Sequence, residues 1–343
     1  MKRTRTAVIG AGKMGKLHSR IYGKMEQVEL VAIVDRQVEK AQALAGEYGG
    51  QAFREPEEIL DLGLDAVTIA VPTEHHARVA EPFLARRIAV LVEKPIAASL
   101  PEARRMLDLA RANQCTLQVG YSERFNPVVQ AMQRLAIRPR FIEAQRISPY
   151  TFRSTDVGVV MDMMIHDIDI VLSLTRRAVR DVQAVAVNVL GTHEDIANAR
   201  LLFEDGCVAN LTASRLALKT ERKVRVFSDQ AYLSLDYFKK TGVMISKSRN
   251  IDMVQLLREQ GGKIDGQGLD WTQLVNVENL DIDDREPLQL EQEAFILAVR
   301  EGGRPQVSAE DAIAAMELAE RIVQVAGRHQ WDGHCAAGIL PAL

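Results

Sequence analysis

The sequence predicts an α/β protein in two parts: a doubly wound parallel sheet at the N-terminus, then an α+β domain built on an open, mainly antiparallel sheet. Three observations predict it. Short β-rich runs alternate with helix-like segments up to Tyr121, as βαβ units require. Those runs are continuously apolar (Val-Ala-Ile-Val, Val-Thr-Ile-Ala-Val, Ala-Val-Leu-Val), as strands covered on both faces should be. After Tyr121 the pattern changes to a series of β-runs with little helix between them.

In chain order, the spacing predicts strands at Thr6–Gly10, Glu29–Asp35, Ala66–Pro72, Ala89–Lys94 and Thr116–Tyr121. Helical spacing fills the gaps at Lys13–Lys24, Gln37–Glu47, His75–Arg87 and Pro101–Asn113. A helix follows Asn126-Pro127, because proline suits a first turn. A strand at Arg140–Ile147 and a helix from about Asp156 to Ser173 come next. The later β-runs are Val179–Leu190, Ile196–Phe203, Cys207–Leu216, Arg222–Phe227, Tyr232–Tyr237 and Val243–Lys247, with hairpin signals at Glu204-Asp205-Gly206 and Ser228-Asp229-Gln230. Two amphipathic helices, Leu290–Arg300 and Ala309–Gln324, close the pattern. The expected domains are 1–121, 122–305, and a C-terminal helix over 306–328 that packs back on the first.

At 343 residues the chain exceeds one ordinary core and suits two domains. Its net charge is −3 with scattered basic residues, which points away from nucleic acid and from a polybasic membrane patch. No stretch reaches the roughly 18 apolar residues of a membrane span, and the run Ala7–Ile9 is too short for a signal peptide. Cys115, Cys207 and Cys335 are isolated and odd in number, so neither a disulfide framework nor a cysteine zinc site is expected. A reducing cytoplasm is the simplest setting for such thiols.

The segment Gly10-Ala11-Gly12-Lys13-Met14-Gly15 ends a strand and opens a helix. Gly10 permits the tight turn, Gly12 lets backbone approach a pyrophosphate, and Gly15 allows close helix–strand packing. Asp35, twenty residues beyond Gly15, can accept hydrogen bonds from ribose hydroxyls and would repel a 2′-phosphate. This is a Rossmann dinucleotide site, with NAD favoured over NADP; the adjacent Arg36 can stack on adenine or meet a phosphate.

Two further strand ends carry polar chemistry, Val71-Pro72-Thr73 with His76, and Glu93-Lys94-Pro95. In open α/β sheets, ligands bind at the C-terminal strand edge, so Lys94 would stand beside the nicotinamide; a solvated Glu–Lys pair is the bland alternative. Asp162 and His166 lie four apart on one helical face, among Met163, Met164, Ile165 and Ile168. A histidine is suited to take a hydroxyl proton as the carbon is oxidised, although a lone helical histidine is more often structural. No cysteine or second histidine stands at ligand spacing beside it, so no metal is expected.

Together the glycine turn, Pro72 with His76, Glu93-Lys94-Pro95, Asp162 with His166, and the late Pro287-Leu288-Gln289-Leu290-Glu291 resemble the glucose–fructose oxidoreductase/inositol dehydrogenase (Gfo/Idh/MocA) family over almost the whole chain. The resemblance implies NAD(P)-linked oxidation or reduction of sugars and cyclitols. It makes Lys94 and His166 the catalytic pair, with Asp162 tuning His166 or holding a neighbouring hydroxyl. It implies cofactor contacts from Gly10, Gly12, Lys13, Met14, Gly15, Asp35, Arg36, Val71, Pro72, Thr73, His76, Glu93, Lys94 and Tyr121. Many relatives carry a glycine-rich approach to this helix and a glycine just before its histidine, whereas this chain has Asp156-Val157-Gly158-Val159-Val160 and then bulky Met163 and Met164.

Glu123-Arg124-Phe125-Asn126-Pro127, Arg146-Ile147-Ser148-Pro149-Tyr150, Arg153 and Asp156-Val157-Gly158-Val159-Val160 resemble the branch acting at C3 of UDP-N-acetylglucosamine. Arg124, Asn126, Arg146 and Arg153 then become substrate contacts beside Asp162 and His166, arginine forks being matched to a diphosphate. Alternatives are a dehydrogenase of a free sugar or cyclitol, or a non-catalytic NAD-binding regulator. An apolar sheet face marked by Val185, Val187, Val189, Leu211 and Ala213 leads us to expect a homodimer or homotetramer joined through the C-terminal sheet.

Overall fold

β1 (Thr4–Ile9) stands at the centre of a parallel sheet, hydrogen-bonded to β2 (Val28–Val34) on one side and β4 (Ala66–Ile69) on the other. This computed structural model describes residues 2–135, 137–151, 157–247, 275–331 and 334–335. With β3 (Gln51–Phe53), β5 (Ala89–Glu93) and β6 (Leu117–Gly120), the six strands run in the order β3-β2-β1-β4-β5-β6. The order reverses at β1, and the topological switch there opens a crevice at the strands' C-terminal ends. Helices α1 (Lys13–Tyr22), α2 (Val38–Tyr48), α3 (His76–Ala85) and α4 (Leu100–Ala112) make the crossovers.

Residues Met1–Phe125 and Arg285–Leu318 form one structural unit, and Asn126–Asp284 with Ala319–Leu343 the other. The helix α7 (Pro287–Glu301) therefore belongs with the parallel sheet, not with the second domain as its position in sequence implied. Its Phe295 and Ile296 enter the same core as Val8, Tyr22, Ile33 and Leu91. The start of α8 (Ala309–Ala326) follows in the same unit, with ion pairs from Arg111 to Glu310 and Arg104 to Glu317. Both pairs are exposed and contribute little.

The second unit holds an eight-stranded sheet. Its strands are β7 (Phe141–Ile147), β8 (Val179–Val187), β9 (Ile196–Phe203), β10 (Val208–Ser214), β11 (Glu221–Phe227), β12 (Ala231–Asp236), β13 (Thr241–Lys247) and β14 (Val275–Asn279). The order is β14-β13-β12-β11-β7-β10-β9-β8, antiparallel at every junction except β7 with β10. Ile142, Ala144, Ala199, Leu201, Leu211, Ala213 and Val226 make a buried face, packed against α6 (Ile165–Thr175) and the turn before it.

That burial corrects the expected oligomer face. Leu211 and Ala213 are 0% exposed within one chain, because β10 turns them inward with Ala209. The opposite face carries polar ladders instead: Asn198 Nδ2 donates to Thr212 Oγ1 at 2.8 Å, Arg200 to Asn210 Oδ1 at 3.1 Å, and Arg225 to Glu143 at 3.0 Å. Apolar residues Val187, Ile196 and Phe227 stand exposed at its margins. Among the described residues no helix is long and apolar enough to cross a membrane.

Candidate active site

The three glycines of the first turn do different work. Gly10 has φ +102°, and a Cβ there would stand 2.5 Å from the Ala70 carbonyl oxygen. A Cβ on Gly15 would run into the Gly10 carbonyl itself. Gly12, the N-cap of α1, is extended, and a Cβ there meets nothing within 4 Å. The protein's own packing therefore demands Gly10 and Gly15 but not Gly12. Gly12 keeps space clear before the first N–H groups of α1, the arrangement that receives a pyrophosphate. Lys13 is exposed, and Met14 packs at the edge of the core.

Asp35 directly follows β2 and binds backbone on both sides: Oδ2 accepts from Ala11 N at 2.7 Å and Oδ1 from Gln37 N at 2.8 Å. It thus ties the glycine turn to the start of α2, and each oxygen keeps a second lone pair for a ribose hydroxyl. A cavity of about 230 Å³ opens here, lined by Gly10, Asp35, Arg36, Val71 and Pro72. His75, from the polar end of the third predicted strand, also lines it, as do Arg54 and Arg78, which sequence reasoning did not find. The space, the helix N-terminus and the carboxylate together fit the adenosine side of a dinucleotide.

His76 is 1% exposed, with Nε2 2.9 Å from Val71 O and Nδ1 2.9 Å from Pro95 O. Burial holds its pKa below the ordinary histidine range. It ties two strand ends together, so the loop after β4 and the cis Lys94–Pro95 peptide are placed by one ring. Thr73 opens the short turn between them, and Tyr121, just past β6, is 1% exposed. Glu93 turns to α1, where His18 Nε2 lies 2.8 Å from its Oε1, while Lys94 is half-buried. Glu93 thus has a partner of its own inside the fold, next to the strand end where its cofactor contact is expected.

In the second unit the helix expected from about Asp156 opens as a π-turn, Val160–Met164, before α6 begins. Such turns recur at functional sites. Asp162 sits in the π-turn and His166 in the first turn of α6, both half-buried, while Met164, Ile165 and Ile168 are buried behind them. The approach is clamped. Arg215 donates from Nε to Asp195 at 2.6 Å and from a terminal nitrogen to Val157 O at 3.0 Å. Glu194 accepts from Val160 N at 3.2 Å, which fixes the start of the π-turn.

Two expected substrate contacts have other work. Arg146 is 4% exposed and makes a two-pronged ion pair with Asp167, at 2.9 and 2.8 Å. Alternation along β7 turns it inward with Ile142 and Ala144, and there a carboxylate must meet it. Asn126 caps helix α5 (Pro127–Arg134), accepting from Val128 N and donating to Tyr237 O. Arg124 is 7% exposed in the turn after β6. Arg153 and Asp156 lie outside the described residues.

Residues 4–121 match the family model for the oxidoreductase family with an NAD-binding Rossmann fold, and 136–234 match the GFO/IDH/MocA C-terminal domain. The chain belongs to the Gfo/Idh/MocA oxidoreductase family. It is an NAD(P)-dependent dehydrogenase acting on CH–OH groups.

Among relatives within this family, the UDP-N-acetylglucosamine 3-dehydrogenase of Acidithiobacillus ferrooxidans is 35% identical over 238 residues, 69% of this chain and 75% of that one. A solved structure of that enzyme superposes with a TM-score of 0.84 at 29% identity, covering 95% of this chain and 98% of that one. The inositol 2-dehydrogenase of Rhizobium meliloti is 24% identical over 333 residues, 93% of this chain and 96% of that one. GenD2 from gentamicin A biosynthesis, solved in complex with NAD, shares the fold at a TM-score of 0.76 and 22% identity, over 96% of this chain and 95% of that one.

Proposed function

We propose that this Gfo/Idh/MocA protein oxidises the C3 hydroxyl of UDP-N-acetylglucosamine to the 3-keto sugar nucleotide, with NAD as its cofactor. The observation that carries the reading is the likeness to the Acidithiobacillus 3-dehydrogenase, which is 35% identical over 69% of this chain. NAD, when bound, supplies the acceptor for the hydrogen on the reacting carbon. Gly12 and the N-terminus of α1 would hold its pyrophosphate, and Asp35 its ribose diol. His166 takes the hydroxyl proton, Lys94 holds and polarises the oxygen, and Asp162 orients His166 or a neighbouring hydroxyl. Arg124 and Arg153 are the proposed diphosphate contacts.

The test is NADH formation with UDP-N-acetylglucosamine, with a keto trap present to draw the oxidation forward. Replacing Lys94 or His166 by Ala should lower turnover by roughly 10²–10⁴-fold while NAD binding stays near normal. A cyclitol dehydrogenase is the second reading, supported by the likeness to inositol 2-dehydrogenase. Turnover of inositol or glucose, with none of any sugar nucleotide, would discard the first reading in its favour. No turnover of any of these, with intact NAD binding, would discard both substrate readings.

We also infer a homodimer or homotetramer through the open face of the second sheet, where exposed Val187, Ile196 and Phe227 border the polar ladders. Light scattering at micromolar concentration should return a multiple of 38.1 kDa, and a monodisperse monomer would contradict it.

A further inference from the structure

Helix α7 carries polar residues where its pattern requires apolar ones. Leu288, Glu291, Gln292, Phe295 and Ile296 form one buried stripe, and Glu291 and Gln292 are each 0% exposed. Neither carboxylate oxygen of Glu291 has a hydrogen-bond partner among the described residues. Beside it lie His18 of α1 and Glu93 at the end of β5, each offering an atom within 4.8 Å of the others.

A divalent cation and a proton both suit such a cluster, and the hydrogen bonds decide between them. Gln292 Nε2 donates to the His18 carbonyl at 3.3 Å, which fixes the orientation of the amide. The same nitrogen lies 2.6 Å from His18 Nδ1, so Nδ1 is an acceptor and the ring proton sits on Nε2. That proton is donated to Glu93 Oε1 at 2.8 Å. A metal on Nε2 would force the proton to Nδ1, against the amide N–H. The proton is the better occupant.

The groups facing Glu291 are His18 and Tyr22 from α1, Glu93 from β5, and Gln118 from β6, whose amide donates to the Glu291 carbonyl at 3.2 Å. None of these four is a fixed cation. Burial and the neighbouring Glu93 both raise the Glu291 carboxyl well above the ordinary range. A second carboxylate this close disfavours ionisation of the fully buried Glu291.

On the reading that Lys94 acts on the substrate oxygen, we propose that Glu291, as a neutral acid beside Glu93, is a positioning residue for Lys94. Glu93 is the last residue of β5 and Lys94 follows it at once, so a Glu93 held toward α1 and α7 anchors the backbone that carries Lys94. Gly120 stands opposite Glu93 in register, and a Cβ there would be 3.2 Å from Glu93 Cα and Oε2. The lodging for the Glu93 side chain is therefore built in. Ionising Glu291 would set two like charges together and push Glu93, with Lys94, out of place.

The test compares the wild type with Glu291→Gln, which keeps the shape and a donor, and Glu291→Leu, which keeps volume alone. Infrared difference spectra should show a protonated-carboxyl band at neutral pH that is absent from Glu291→Gln. With carbon-13 dimethyl-lysine labelling, the Lys94 resonance, assigned through Lys94→Arg, should hold its position in Glu291→Gln and move or broaden in Glu291→Leu. On a turned-over substrate, Glu291→Leu should lose about tenfold in kcat at unchanged KM, the scale of a slightly misplaced catalytic group. Glu291→Gln should keep kcat within about threefold and lack the wild-type decline at alkaline pH. A missing band, an unmoved Lys94 resonance in Glu291→Leu, or stoichiometric zinc or manganese in the purified protein would overturn the proposal. If no sugar or cyclitol is turned over, the reading of the reaction fails, while band and resonance still decide the role of Glu291.

Discussion

A methyl group on Gly12 enters open space, whereas one on Gly15 meets the carbonyl of Gly10. The two positions therefore separate binding from folding. Gly12→Ala should unfold within about 2 °C of the wild type, because nothing in the fold resists it. Its NAD affinity should fall by at least roughly tenfold, since the methyl occupies the proposed pyrophosphate approach. Gly15→Ala should cost about 1–3 kcal/mol of stability by overpacking. Calorimetry paired with cofactor titration checks both, and a Gly12→Ala variant that binds NAD normally would remove the pyrophosphate from this turn. Asp35 mixes the two effects, because its carboxylate also holds Ala11 N and Gln37 N. Asp35→Ala should weaken NAD and relax discrimination against NADP, with a loss of stability that Gly12→Ala does not show. Equal affinity of the wild type for both cofactors would shift attention to Arg36, Arg54 and Arg78.

At the scale of elements, most strands and helices were legible because their periods are clean, while the short edge strands β3 and β14 and the side-chain partners were not. The alternation Ile142, Ala144, Arg146 places the arginine inward on β7. Its partner Asp167 comes from a helix 21 residues further on, and no local pattern announces that pairing. The π-turn at Val160–Met164 was equally hidden, since one extra residue in a turn leaves the apolar spacing intact. The buried pair has a measurable consequence. Arg146→Ala should destabilise by about 3–5 kcal/mol, because it leaves Asp167 buried and unpaired. Arg146→Met with Asp167→Leu should recover most of that loss. Denaturant titration of the single and double variants measures the coupling. A single variant with wild-type stability and a raised KM would return Arg146 to the substrate.

For the whole molecule, the two-sheet architecture was readable from the change of period near Tyr121, but the return of α7 to the first sheet was not. Its clue was local: Glu291 and Gln292 share a stripe with Leu288, Phe295 and Ile296. Polar residues in such a stripe call for polar neighbours, and these are His18 and Glu93 in the parallel-sheet unit. The same cluster links the stability of the protein to pH, against an opposing contribution from His76. Burial lowers the His76 pKa from its ordinary value of 6.5, so the unfolded chain binds its proton more readily. That contribution is complete above about pH 6.5 and is lost as pH falls toward the folded value. Glu291 is raised from 4.5, so the folded chain holds its proton more tightly. Its contribution is complete below about pH 4.5 and is lost as pH rises toward the folded value. Between these limits the two oppose each other and flatten the wild-type curve. Glu291→Gln should match the wild-type pH trend at acidic pH and gain on it at neutral and alkaline pH, by up to about 1.4 kcal/mol per pH unit within the titrating range. His76→Gln should gain on the wild type only as pH falls below about 6.5. Urea titrations of the three proteins from acid to mildly alkaline pH give the comparison, and parallel curves for Glu291→Gln and wild type would show that the buried acid is not protonated.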